Sequence, residues 1–271
     1  MRKYKQALDY LREKCPLVHQ ITNYVTVNDC ANITLAIGAS PIMADDINEV
    51  AEIAQLSQAV VLNIGTLNQI HISAMIEAGK AANQKQIPVI LDPVGAGASH
   101  LRSDTVQILL SEIQFTVIRG NISEMLFLAG LQAQIYGVDA GKADITPKQQ
   151  TLSIAQNIAK THHCTAVITG ACDIVADQIQ AAFIHNGHPM MANITGTGCM
   201  STALIGSFCG ANPDLPFDSA VAALLVMGIA GEIAHKQAGH LGNGSFRAAL
   251  HDAVSQMTTE TLVKMAKFND A

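Results

Sequence analysis

The segment Asn193-Ile194-Thr195-Gly196-Thr197-Gly198-Cys199-Met200 holds the residues best suited to chemistry in this chain. It joins a strand-like run, Met190–Ile194, to a helix-like run that begins near Thr197. Gly196 and Gly198, with Thr197 between them, let the backbone aim its N–H groups at one point. The helix behind them adds unpaired N–H groups and the positive end of its dipole, which suits the loop to an anion. Cys199 falls in the first turn of that helix, where the same field favours a thiolate. An anion loop beside a proton acceptor points to phosphoryl transfer. A glycine turn ahead of a buried helix with an inert core cysteine accounts for the same letters, because a lone glycine motif is unspecific.

Phosphoryl transfer from a nucleotide requires charge neutralisation at the phosphates, a magnesium ion and a held acceptor hydroxyl. Magnesium keeps several waters and needs only one or two carboxylates. Asp92, in Leu91-Asp92-Pro93-Val94-Gly95, and Glu124, in Asn121-Ile122-Ser123-Glu124, fit that role. Asp92 also reads as a turn residue before proline. Glu124, three residues after Asn121, has the spacing of a helix capping box, and the two roles can coexist. Arg119 follows a β-forming run and can clamp phosphates, or close a salt bridge at the end of a sheet. Thr169-Gly170 can offer a hydroxyl and an N–H, or simply end a strand. His19 and Met43 by themselves read as core residues.

These residues need a scaffold that brings them together. Short β-rich runs at Leu17–Thr22, Ala59–Ile64, Pro88–Asp92, Phe115–Arg119 and Cys164–Thr169 alternate with longer helical patterns. The helical patterns lie near Val25–Gly38, Ile47–Ser57, Leu67–Asn83, Asp104–Glu112, Ser123–Leu131 and Pro147–Thr161. Such alternation predicts an α/β fold with a mainly parallel central sheet flanked by helices. After Gly170, the runs Asp173–Asp177, Gln180–His185 and Pro189–Ile194, with a turn signal at Asn186-Gly187, predict a short antiparallel meander over 173–194. Helices near Thr197–Phe208, Asp218–Lys236 and Ser245–Met265 close the chain. The polar stretch Gly137–Thr146 reads as the most mobile loop. With no linker and no internal repeat, residues 1–271 read as one domain. In a parallel sheet, ligands collect beyond the carboxyl ends of the strands. That rule draws Asn23, Gly65, Asp92, Arg119, Thr169 and the Gly196–Gly198 loop to one edge.

Composition narrows the function classes. The 271 residues are 49% hydrophobic and 14% charged, which implies a large core and apolar surface covered by protein. A net charge of −6 without any basic run argues against a nucleic-acid surface. The apolar stretch Ala220–Gly231 is short for a membrane span and reads as a buried helix. No signal-peptide pattern follows Met1, and the six cysteines form no CxxC pair, as in a cytoplasmic protein with reduced thiols. No glycine loop ends in Gly-Lys-Ser/Thr, and Gly196-Thr197-Gly198 lacks the third glycine of a dinucleotide fingerprint.

Six segments, in order, resemble the hydroxyethylthiazole kinases of the ribokinase-like superfamily. They are His19-Gln20-Ile21-Thr22-Asn23 with Asn28-Asp29, Pro41-Ile42-Met43-Ala44, Leu62-Asn63-Ile64-Gly65-Thr66, Leu91–Ala96, Arg119–Glu124 and Asn193–Met200. The resemblance implies a ribokinase-like fold and transfer of phosphate from ATP, with Mg2+, to the hydroxyl of 4-methyl-5-(2-hydroxyethyl)thiazole in thiamine biosynthesis and salvage. It implies homotrimers with active sites between subunits. Carried over position by position, Met43 and Gly196 contact the thiazole with Asn23 and Gly65 nearby. Arg119 and Thr169 bind ATP, and Asp92 and Glu124 organise magnesium, partly through water. Cys199 stands where many sugar kinases of the superfamily carry an aspartate base, which agrees with the thiazole kinases and leaves the base open. Two other readings are a ribokinase-like nucleotide-dependent dehydratase of hydrated nicotinamide cofactors, which would carry aspartate at position 199, and a nucleotide-binding protein without catalysis.

Overall fold

The computed structural model describes residues 1–131 and 148–270; the stretch Gly137–Thr146 lies outside them. The chain opens with α1 (Arg2–Lys14), whose buried Tyr4, Ala7, Leu8 and Leu11 recur at helical spacing on one face. Strand–helix units follow: β1 (Leu17–Ile21), α2 (Val27–Ile37), β2 (Ser40–Ile42), α3 (Val50–Leu56), β3 (Ala59–Asn63) and α4 (Gln69–Gln84). Next come β4 (Val89–Asp92), α5 (His100–Glu112), β5 (Val117–Asn121), α6 (Ile122–Leu128), α7 (Lys148–His162) and β6 (Thr165–Thr169). The remainder comprises β7 (Asp173–Ala176), β8 (Ala181–Ile184), α8 (Thr197–Ala211), α9 (Pro216–Ala238), α10 (Asn243–Ser255), α11 (Thr259–Met265) and β9 (Phe268–Asp270).

Among the described residues these strands form one sheet in the order β2-β1-β3-β4-β5-β6-β7-β8-β9. Pairing is parallel from β2 through β6 and antiparallel from β6 onward. The fold is α/β, as the alternation predicts. Side chains alternate across the pleat, so each central strand feeds two cores. Val18, Val61, Ile90, Val117 and Val167 pack on one face beneath α1, α2, α8, α9 and α10. Val60, Leu62, Val89, Leu91 and Ile118 pack on the other beneath α3 to α7. Helix α9 belongs to a segment long and apolar enough to cross a membrane, Pro216–Leu241, yet most of it is buried among its neighbours in the first core.

Three expectations change. Pro189–Ile194 is not a strand: Pro189–Asn193 is a 3-10 helix, with proline at its start and the His188 Nδ1 accepting from the Met190 N–H. Asn186-Gly187 therefore joins no hairpin, and the third antiparallel strand is β9, paired with β8. The single helix expected over Ser245–Met265 is two, α10 and α11, with Thr258 capping the second through the Thr261 N–H. The short edge strand β2 and the helix α1 were not anticipated.

Candidate active site

The parallel strands end along one edge, and α8 enters that edge with its N-terminus. Its cap is Gly196 at φ 88°, a left-handed conformation that favours glycine, and no side chain caps the helix. The first N–H groups of α8 are thus free to meet an anion. Gly198 is a place of close approach, since a Cβ there would lie 2.7 Å from Nη1 of Arg119. The guanidinium therefore lies against the helix start, adding its charge to the positive end of the dipole.

Arg119 is delivered by β5 and is almost fully buried. Its Nη2 donates to Oγ1 of Thr169 at 2.5 Å, and Nη1 lies 3.6 Å from Oδ2 of Asp92. Its Nε is buried without a partner. A half-satisfied buried cation at a helix N-terminus is an environment that gains from a multivalent anion. Arg119, Thr169, Thr197 and Gly198 line a cavity of about 510 Å³ that runs to Pro189, Met191, Leu224, Met227 and Gly228. Asn23, Met43, Gly65, Asp92 and Cys199 are not in its wall. A phosphate-suited end and an apolar end share this cavity, and Arg119 in its wall borders the Cys199 group through Asp92.

Asp92 ends β4 and is fully buried. Its Oδ2 accepts from Oγ1 of Thr202 at 2.7 Å and from Nδ2 of Asn63 at 3.1 Å, and its Oδ1 has no partner. Burial pushes this carboxyl above the usual range, against the pull of Arg119. Glu124 is in fact a capping residue: its Oε2 accepts from the Asn121 N–H at 2.7 Å, and Asn121 Oδ1 accepts from the Glu124 N–H at 3.0 Å. Its Oε1 accepts from the Gly95 N–H at 2.9 Å, which ties the loop after β4 to α6. Burial and then the charge of Asp92 push the Glu124 carboxyl up as well. Two buried carboxylates that oppose each other's ionisation, one with a free oxygen, are a donor set suited to a divalent cation.

Cys199 lies in the first turn of α8, with its Sγ 3.2 Å from Nδ2 of Asn23 and 3.2 Å from Nδ2 of Asn63. The expectation that the helix field favours its thiolate is reversed in the free chain. Burial, then the charge of Asp92, push the thiol up, and hydrogen bonds from Thr26, Asn63 and Asn23 offset only part of this. Gly65 donates its N–H to Oδ1 of Asn63 at 2.9 Å, in the same group. Met43 follows β2 and packs, partly buried, on the core cluster that Cys199 also touches. His19 is buried and its Nε2 lies 2.7 Å from the Ala44 carbonyl, so it braces the segment after Met43 rather than joining the polar group.

Sequence reading missed four contributors. Asn63 and Thr202 hold Asp92. Arg102 clamps the loops after β3 and β4, donating to the carbonyls of Ile64 and Val94 at 2.6 Å and of Gly65 at 2.7 Å. Asp173 lines the cavity, accepts from the Gly170 N–H at 2.9 Å and is pushed up to about 6 by burial. Asp173 could have been found as the acid three residues after a glycine at a strand end. Arg102 lies on a helix surface by sequence and carries no such signal.

Comparisons with known proteins show the family and the fold. Residues 8–260 match the model of the hydroxyethylthiazole kinase family. The chain is 52% identical over 269 residues to the hydroxyethylthiazole kinase of Clostridium beijerinckii, covering 99% of this chain and 97% of that one. It is 51% identical to that of Ruminiclostridium cellulolyticum, over 99% and 98% of the two chains. The structure of hydroxyethylthiazole kinase from Pyrococcus horikoshii superposes with a TM-score of 0.90 at 36% identity over 100% of both chains. The ADP complex of Bacillus subtilis pyridoxal kinase shares the fold, with a TM-score of 0.60 at 16% identity over 79% of this chain and 90% of that one. With six matching segments, this sheet edge and full-length similarity, the chain belongs to the hydroxyethylthiazole kinase family.

Proposed function

We propose that this protein transfers the γ-phosphoryl group of ATP to the hydroxyl of 4-methyl-5-(2-hydroxyethyl)thiazole, in thiamine biosynthesis and salvage. The observation that carries the reading is the uncapped start of α8 with the Arg119 guanidinium lying against Gly198. Arg119, Thr169 and the N–H groups at Thr197 and Gly198 bind the phosphates, and the apolar end of the cavity takes the base. Asn23, Gly65, Gly196 and Met43 hold the thiazole with its hydroxyl toward Cys199. The new bond joins the acceptor oxygen to the γ-phosphorus, the bond to the ADP oxygen breaks, and the hydroxyl proton passes to the sulfur of Cys199. The transition state is loose, so positioning and charge neutralisation supply most of the acceleration.

Asp92 would hold magnesium through its free Oδ1, with Glu124 reaching it through water because both its oxygens already accept backbone N–H groups. When bound, magnesium supplies charge neutralisation at the phosphate oxygens. Residues 1–271 act as one domain, in the cytoplasm. A homotrimer with active sites between subunits is supported by exposed apolar side chains beside the acceptor residues. Tyr24 (75% exposed) and Val25 follow Asn23, Ile47 follows the Met43 segment, and Ile70 (66% exposed) lies after Gly65.

Selectivity tests the substrate. ATP consumption measured with the thiazole alcohol, pyridoxal or a sugar should be fastest with the thiazole. Faster turnover with either of the others would overturn the assignment.

A further inference from the structure

Asn63 makes four hydrogen bonds with one side chain, all within the proposed reacting group. Its Oδ1 accepts from the Gly65 N–H at 2.9 Å and from Nδ2 of Asn23 at 3.0 Å. Its Nδ2 donates to Oδ2 of Asp92 at 3.1 Å and to Sγ of Cys199 at 3.2 Å. Every lone pair and proton of the amide is used. The orientation is forced, because a backbone N–H can only donate. Turning the amide over would set its NH2 against the Gly65 N–H and the Asn23 amide, and its oxygen against the Asp92 carboxylate.

Asn23 is locked by the same logic. Its Oδ1 accepts from both N–H and Oγ1 of Thr26, at 3.1 and 3.0 Å, so its Nδ2 must face Asn63 and Cys199. Two amides, each fixed by a backbone donor, thus direct one N–H apiece at the sulfur. A sulfur met by two donors is received as an acceptor. Of the two, only Asn63 also reaches Asp92. It is the one side chain among the described residues that hydrogen-bonds both Cys199 and the carboxylate at the end of β4.

We propose that Asn63 is a positioning residue for phosphoryl transfer, holding the Cys199 sulfur and the Asp92 carboxylate in register through its two N–H groups. The proposal rests on the reading of Cys199 as the proton acceptor. It deepens that reading by assigning the residue that links the acceptor side of the site to the carboxylate side.

Two variants test it, in a Cys15→Ser background that removes the exposed thiol. Asn63→Asp keeps an oxygen for Gly65 and Asn23 and replaces the two N–H groups with a second carboxylate oxygen, whose charge faces Asp92 and Cys199. Asn63→Leu removes all four bonds at similar volume without adding charge. Both should lower kcat by roughly 10- to 100-fold with KM for ATP within about twofold, and slow carbamidomethylation of Cys199, followed by peptide mass spectrometry, by about tenfold. In a Cys199→Ala background, Asn63→Leu should cost several-fold less in kcat than in the parent, because only the contact with Asp92 is left to position. Folded variants with wild-type thiol reactivity, or an Asn63→Leu loss that is the same with and without the sulfur, would overturn the proposal. Full kcat in Cys199→Ala alone would instead remove the proton-acceptor reading, and the alkylation rate would still decide whether Asn63 governs the sulfur. If Asn63→Leu unfolds, Asn63→Ala, which also removes the N–H groups without adding charge, carries the test.

Discussion

In the free chain, burial and the Asp92 charge hold the Cys199 thiol above the ordinary cysteine range, while Asn23, Asn63 and Thr26 pull it down. A base with a raised pKa is mostly protonated at neutral pH, so turnover through Cys199 should rise with pH across the alkaline range. Cys199→Asp ionises far lower and should be flat from about pH 6 to 9 with substantial kcat. Cys199→Ala should lose roughly 10²-fold in kcat without losing all activity. Steady-state kinetics against pH check all three, and wild-type kcat in Cys199→Ala at every pH would return the residue to packing. Asp173 gives a separate test of the cavity wall. Its carboxyl is pushed up to about 6 by burial. The folded chain therefore holds that proton more tightly than the unfolded one. The resulting stabilisation is complete below about pH 4 and lost as pH rises through about 6. Asp173→Asn should be more stable than the parent at pH 8, by about 1 kcal/mol after discounting for partial exposure, with no difference near pH 4. A difference in Tm that does not change with pH would count against burial as the cause.

Helix α8 places the anion loop, and Gly198 sets how closely Arg119 can approach it. Gly198→Ala would put a methyl group 2.7 Å from Nη1 and 2.9 Å from Nη2, so the guanidinium must move. KM for ATP should rise roughly tenfold, the size of a lost charge-assisted contact, while KM for the thiazole stays within about twofold. An unchanged KM for ATP would mean that Arg119 yields without cost and does not hold the phosphates. Elements of this kind were legible because β3, β4, β5 and β6 carry branched apolar residues and end in polar ones. A strand buried on both faces leaves that trace, and the exit of each run marks the ligand edge. The elements that were missed carry weaker traces. Strand β2 is three residues with Pro41 inside it, tolerable at an edge and unlike a strand in sequence. Pro189–Asn193 has apolar letters suited to a strand, but proline at its start, with His188 bonding the Met190 N–H, turns it into a 3-10 helix. Arg102 and Thr202 face the site only because α5 and α8 pack against particular strand ends, which no local pattern encodes.

At the scale of the molecule, a twisted sheet with a core on each face brings together polar side chains that are far apart in sequence. Asn23, Asn63, Asp92 and Cys199 are joined by hydrogen bonds although 176 residues separate the first from the last. The apolar side chains left exposed around Asn23 and Gly65 suit a contact between copies of the chain. Light scattering at working concentration should give about three times 28.6 kDa. A monomer with full activity would contradict the shared site. In the proposed reaction, one sheet edge passes phosphate from ATP to the thiazole alcohol. Phosphorus NMR of the purified protein with ATP and the thiazole alcohol tests it most directly. A phosphate monoester of the alcohol should appear in step with ADP, with magnesium and not without it. ADP and inorganic phosphate forming at the same rate whether or not the alcohol is present, with no ester signal, would contradict the account.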